Sequence, residues 1–218
     1  MNNCLNILYE DNHIIVVVKP KNVLSQEDET KDLDMLSIIK AYIKEKYNKP
    51  GNVYLGLVHR LDRMTSGVMV FAKTSKGASR LNEQIRSGEF KKRYLALVEG
   101  IVSPSVGELT NYLYKDEKLV KSFVTNDSNK GKLSKLRYKT QKVGKNQSLL
   151  EVELITGRHH QIRVQFSHIG HPLVGDVLYG SIFKQDIKLH AYYLSFMHPI
   201  TKERMEFINY PTWKDEVR

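Results

Sequence analysis

The hydrophobic positions of the first twenty residues fall in two short runs, ILY (7–9) and HIIVVV (13–18). An Asp-Asn turn separates them and Lys19-Pro20 closes the second, which is the pattern of a β-hairpin. From Leu33 to Tyr47 the period changes. Met35, Ile39, Tyr42 and Ile43 recur at helical spacing, Asp32 or Asp34 can cap the first turn, and Pro50-Gly51 supplies a stop, so a surface helix is expected. VYLGLVH (53–59) reads as a strand running into HRLDRMTS (59–66), and VMVFA (68–72) as a short strand apolar on both faces. Asp62 then lies on the loop joining two strands, a common place for chemistry. Ser75 can cap a second helix bearing Ala78, Leu81 and Ile85, with Gly88 to end it. Further strands are expected at KRYLALVEG (92–100), ELTNYLY (108–114), KLRYKTQKV (135–143) and SLLEVELI (148–155), the last two joined by a Gly-Lys-Asn turn. Leu150, Val152 and Leu154 alternate with Glu151 and Glu153, giving one buried and one wet face. The expected class is α+β with an antiparallel-dominated sheet.

A third helix is expected from near His159, because Ile162, Phe166 and Ile169 recur at i, i+4 and i+7 and Gly170 and Pro172 follow as stops. His159 and Arg163 would share one face of it. GSIFKQD (180–186) is a loop, and no repeat, low-complexity tract or linker interrupts the chain.

Composition adds constraints. With 218 residues, 41% hydrophobic and 27% charged, the chain can bury one good core, and a single domain over 1–218 is expected. Cys4 has no second cysteine to pair with, which excludes a disulfide framework and indicates a reducing, cytoplasmic setting. The start of the chain lacks the pattern of a signal peptide, and no stretch approaches the roughly 20 apolar residues of a membrane span.

The formal net charge of +10 favours a polyanionic partner. Its placement says more than its total. Between Lys115 and Lys145 ten basic residues, Lys132, Lys135 and Arg137 among them, face three acidic ones, so that segment carries +7 of the +10. Such a strip can track the phosphates of RNA or DNA, with an affinity that falls as salt rises.

Two stretches concentrate the candidate chemistry. In HRLDRMTS, Asp62 stands between Arg60 and Arg63, and flanking cations favour the ionised carboxylate, suited to nucleophile or anchor and not to general acid. In TGRHHQIRVQFSHIGHPLVGDVLYG (156–180), four of the eight histidines crowd together. Neither HExxH nor a nearby cysteine pair accompanies them, so structural or phosphate-contacting roles are the better reading than zinc. The absence of GxGxxG and GxxxxGK[ST] argues against nucleotide cofactors.

Together the two stretches, VHRLDRMTSGVMVFAKT (58–74) and ITGRHHQIRVQFSHIGHPLVGDVLYG (155–180), resemble the signature blocks of the RluA-type pseudouridine synthases. ILYEDNHIIVVVKP (7–20), KKRYLALVEG (91–100) and LHAYYLSFMHP (189–199) match that family's remaining blocks in order, so the resemblance covers nearly the whole chain. It implies a bent, mixed, mainly antiparallel sheet with a central cleft, and isomerisation of uridine to pseudouridine in ribosomal RNA or, second, transfer RNA. The N1–C1′ bond breaks, the base turns, and C5 bonds to C1′ before losing its proton, with no metal or redox cofactor required. Asp62 matches the catalytic aspartate, which either attacks C1′ or abstracts a sugar proton. Arg60 matches the arginine that fills the gap left by the extruded nucleotide. Tyr94 matches the tyrosine that stacks on the base, and Arg163 the cation that pairs with the catalytic carboxylate. Arg158 and His159 would join Lys132, Lys135 and Arg137 in holding RNA, while His59 orients the loop.

The chain departs from the family pattern at His159, usually Thr, and at Gln165, often His, which touches phosphate contacts or substrate preference and not catalysis. Relatives often carry a small RNA-binding module before the core. Here the first block begins at residue 7, so the core itself is expected to grip RNA, as a monomer. Two rival readings are a catalytically silent RNA-binding or ribosome-assembly protein and a metal-dependent nuclease resting on the histidines.

Overall fold

The computed structural model describes residues 5–217, so Cys4 and the compartment argument built on it lie outside the described residues. The first elements along the chain are β1 (Ile7–Glu10), β2 (Ile14–Lys19), α1 (Met35–Lys46), β3 (Gly56–Leu57), β4 (Ser66–Ala72), α2 (Ser75–Ser87) and β5 (Lys91–Glu99). They are followed by β6 (Val106–Asp116), β7 (Lys121–Thr125), β8 (Lys132–Val143), β9 (Gln147–Leu154), α3 (Gln161–His168), β10 (Leu189–Met197) and β11 (Arg204–Ile208). The fold is α+β. Residue contacts divide it into two compact units, one running up to Lys92 with Ala191–Asn209, the other Arg93–His190 with the segment from Tyr210.

In the first unit β1 and β2 form the expected hairpin, and Asp11 closes it by accepting the His13 and Ile14 backbone N–H groups at 2.7 Å each. β2 pairs antiparallel with β4, β10 lies beside β4, and β11 pairs antiparallel with β10. The core joins Ile14, Val16, Val68, Val70, Leu81, Phe90, Leu194 and Phe196, each contributing roughly 1.5–3 kcal/mol by leaving water. Asp34 caps α1 by accepting the Ser37 N–H, and Met35, Ile39 and Ile43 are buried; the helix ends ahead of Pro50. The second helix is capped by Thr74, not Ser75, through the Gly77 N–H, and Gly88 ends it at φ 77°. The strand expected over 53–59 shrinks to β3, because the His59 imidazole accepts the Val70 N–H at 3.1 Å where a neighbouring strand would offer a carbonyl. Gly67, at φ 138°, allows an approach that a side chain would block: a Cβ there would lie 2.4 Å from the Ala191 carbonyl oxygen.

The second unit orders its strands β5-β9-β8-β6-β7, every neighbouring pair antiparallel. β7 is absent from the sequence reading; it is short, and its apolar Val124 is partly buried by packing with Leu113, Val164 and Tyr179. α3 starts later than expected. His160 takes a left-handed conformation at φ 53°, which leaves His159 off the helix and removes the face it was to share with Arg163. Gln161 through Phe166 are all buried, so α3 is a core helix and not an amphipathic surface one. Among the described residues no helix is long and apolar enough to cross a membrane.

Candidate functional site

The chain leaves the sheet after β3 and returns at Ser66, and its backbone in between is pinned at several points. Leu61 donates its N–H to Ser25 Oγ at 3.1 Å and accepts the Ser25 hydroxyl at 2.8 Å. Asn22 donates to the Arg63 carbonyl at 2.9 Å, and the Thr65 N–H closes a turn onto the Asp62 carbonyl at 3.0 Å. Leu61 and Thr65 point inward and are buried; Asp62 is half-buried, and Arg60 and Arg63 are exposed.

The flanking arginines are otherwise employed than their spacing suggests. Arg63 Nη1 lies 2.7 Å from Asp32 Oδ2, and Arg60 makes no ion pair among the described residues. Successive side chains on an extended loop diverge, so sequence neighbours need not meet. The cation held within the same unit is Lys19, completely buried at the end of β2. Its Nζ donates to the carbonyls of Pro20 (2.9 Å), Val23 (2.6 Å) and Arg63 (3.1 Å), matching the three donors of an ammonium. Burial pushes its pKa down to about 8, against the attraction of Asp62 and with the repulsion of Arg63. Sequence reasoning missed this residue; the signal was a lysine ending an otherwise apolar strand.

His59 is fixed as a neutral ring. Nε2 accepts from Val70, which assigns the proton to Nδ1. Burial, helped by the charge of Lys92, holds its pKa well below the ordinary histidine value. The ring packs edge-on against Phe90 at 5.3 Å.

In the second unit Tyr94 sits on β5 opposite Val152 and is buried. Arg163, buried on α3, presents Nε and Nη2 to the two oxygens of Asp176 at 2.7 and 2.8 Å, a fork-to-fork pair. Two of the five guanidinium donors are used on that edge, and the Tyr179 ring lies 5.1 Å from Cζ. The sequence reading missed Asp176 as the partner of Arg163, though GDVLYG displays a lone carboxylate among apolar residues and glycines.

The histidines diverge onto separate partners. His159 Nδ1 meets Ser122 Oγ at 2.9 Å, His160 Nδ1 meets the Tyr179 hydroxyl at 3.0 Å, and His171 Nδ1 meets the Glu99 carbonyl at 2.8 Å. The rings of His159 and His160 stack at 3.8 Å. Burial, then the charges of Arg163 and His159, push the His160 pKa down to about 2, so it stays neutral. Gln165, one of the departures from the family pattern, donates to Asn111 Oδ1 at 2.7 Å inside the core.

The basic strip is less uniform than its sequence. Lys135 Nζ and Arg137 Nε converge on the two oxygens of Glu108, at 2.8 and 3.2 Å, and these bonds hold its carboxyl below the usual range. Arg158 is exposed, with Nε donating to the Leu133 carbonyl at 3.1 Å. Lys132 is exposed and forms no ion pair among the described residues.

Against known proteins, a family described as RNA pseudouridylate synthase matches residues 13–168. Ribosomal large subunit pseudouridine synthase C of Buchnera aphidicola subsp. Baizongia pistaciae is 33% identical over 210 residues, 91% of this chain and 64% of that protein. Ribosomal large subunit pseudouridine synthase D of Zymomonas mobilis is 34% identical, over 93% of this chain and 68% of that protein. The chain belongs to the RNA pseudouridylate synthase family. It spans about 64% of the length of the Buchnera relative. The fold is also that of human RNA pseudouridylate synthase domain containing 4, with a TM-score of 0.81 at 22% identity over 96% of this chain and 90% of that one.

Proposed function

We propose that this chain isomerises specific uridines of structured RNA to pseudouridine, ribosomal RNA ahead of transfer RNA, as a monomer in the cytoplasm. The observation that carries the reading is the loop around Asp62. Its backbone is tied down by Lys19, Ser25 and Asn22 while Asp62 as a residue is half-buried, the arrangement a preorganised reactive group needs. Isomerisation needs one protected carboxylate and is redox-neutral. Asp62 either attacks C1′ to hold the sugar covalently or removes a sugar proton, the freed uracil turns, and C5 bonds to C1′ and releases its proton.

The other residues take the roles the family resemblance implies. Tyr94 supplies a ring for the extruded base, and exposed Arg60 fills the vacated stack. Arg163, oriented by Asp176 through one edge of its fork, supplies the charge that keeps a carboxylate ionised away from water. Arg158, His159, Lys132, Lys135 and Arg137 hold the surrounding RNA. The test is chemical mapping of pseudouridine in total RNA from cells with and without the gene, complemented by wild type or Asp62→Asn. Sites that vanish on deletion and return only with wild type support the reading; an unchanged map overturns it.

A further inference from the structure

The β6–β7 hairpin presents a pair of rings that the proposed reaction does not use. Leu113 and Val124, partners across the two strands, turn inward to pack with Val164 of α3. Strand alternation therefore sends their neighbours Tyr114 and Phe123, themselves cross-strand partners, to the opposite face. There the two rings stack at 5.5 Å and 23° and remain partly exposed. Lys130 Nζ stands 4.0 Å from the Tyr114 ring centre and Lys121 Nζ 5.4 Å from that of Phe123. Lys121 is anchored by donating to the Leu178 carbonyl at 2.7 Å, whereas exposed Lys130 has no carboxylate partner among the described residues.

We propose that Tyr114 and Phe123 form a stacking platform for an unpaired nucleobase of bound RNA, a site separate from the residues assigned to the reaction. Single-stranded nucleic acid is held by this combination of aromatic faces for bases and nearby ammonium groups for phosphates. Exposed Lys130 is the element to be displaced: drawn to a backbone phosphate, it uncovers the tyrosine face for the incoming base. Exposed Lys118 and Lys132 extend the positive surface along the same hairpin and the start of β8. The alternative, that the rings only join two strands, needs neither their exposure nor a lysine over one of them that has no carboxylate partner among the described residues. The proposal rests on the reading that the chain acts on RNA.

The test compares binding of a short fluorescent oligouridylate and of an abasic ribose-phosphate strand of equal length to the full chain, by anisotropy. The variants are Tyr114→Leu and Phe123→Leu, which keep an apolar cross-strand contact, and Tyr114→Phe, which keeps the π face. Tyr114→Leu should weaken oligouridylate about 10-fold, the size of one stacked base. Tyr114→Phe should stay near wild type, and the abasic strand should bind all variants alike. Wild-type affinity of Tyr114→Leu for oligouridylate, or equal loss for both strands, overturns the platform. Pseudouridine formation by wild type is scored separately. If no RNA is modified while the base-dependent loss persists, the reaction reading fails and the platform stands.

Discussion

Lys19 in the first unit and Arg163 in the second are both buried cations, satisfied by opposite means. The lysine spends its three donors on neutral backbone carbonyls, and its pKa falls to about 8. The arginine has a carboxylate fork and cannot lose its proton in a protein. One charge is therefore conditional on pH and organises backbone; the other is permanent and organises a side chain. That contrast allows the two halves of the proposed machinery to be disturbed separately.

The largest effect should come from the permanent pair. Asp176→Asn takes the bidentate carboxylate away from buried Arg163 and should cost roughly 3–5 kcal/mol in urea unfolding. Replacing both partners, Asp176→Leu with Arg163→Met, should restore most of the stability and none of the turnover. If the double variant is as unstable as the single one, Asp176 has a further structural role and the contrast with Lys19 weakens.

Lys19→Met should have a smaller effect on stability, about 1–3 kcal/mol, since three carbonyls lose a donor but no opposite charge is stranded by a direct pair. Turnover should suffer more than folding, because the carbonyl of Arg63 and the field at Asp62 both change. The pH dependence sharpens this. With a folded pKa near 8 and an ordinary value of 10.5, the folded protein binds fewer protons than the unfolded chain between those values. The Lys19 contribution to stability therefore rises with pH across that window. Turnover that depends on the ammonium should instead fall as pH rises through about 8. The difference between wild type and Lys19→Met isolates both trends; a parallel fall of stability and turnover in wild type would contradict the assignment.

The smallest effect concerns the strip. Glu108→Gln removes the carboxylate shared by Lys135 and Arg137 and should tighten RNA binding by a few-fold at low salt, with a steeper salt slope. An unchanged slope would show that those two side chains do not reach phosphate.

Much of this was legible in the chain itself. The hairpin of β1 and β2, a cap of α1 at Asp32 or Asp34, settled by the fold as Asp34, and the buried β4 follow from period and turn chemistry. β7 and the short β3 were not legible, because each depends on a distant partner: Val124 on α3, and Val70 on the imidazole of His59. The onset of α3 was misplaced because no pattern marks a left-handed histidine. In the loop, residue types suggested Asp62 but assigned its neighbours' charges by adjacency. The actual partners, Asp32 for Arg63 and Arg63's own carbonyl for Lys19, lie far along the chain and emerge only when the fold is formed.

The most direct measurement of the central claim is release of tritium from RNA labelled at uridine C5, since that position loses its hydrogen when it bonds to C1′. Purified wild type should release tritium in proportion to pseudouridine formed, and Asp62→Asn should release none while binding the same RNA with unchanged affinity. Release by Asp62→Asn at the wild-type rate would contradict the role given to this carboxylate.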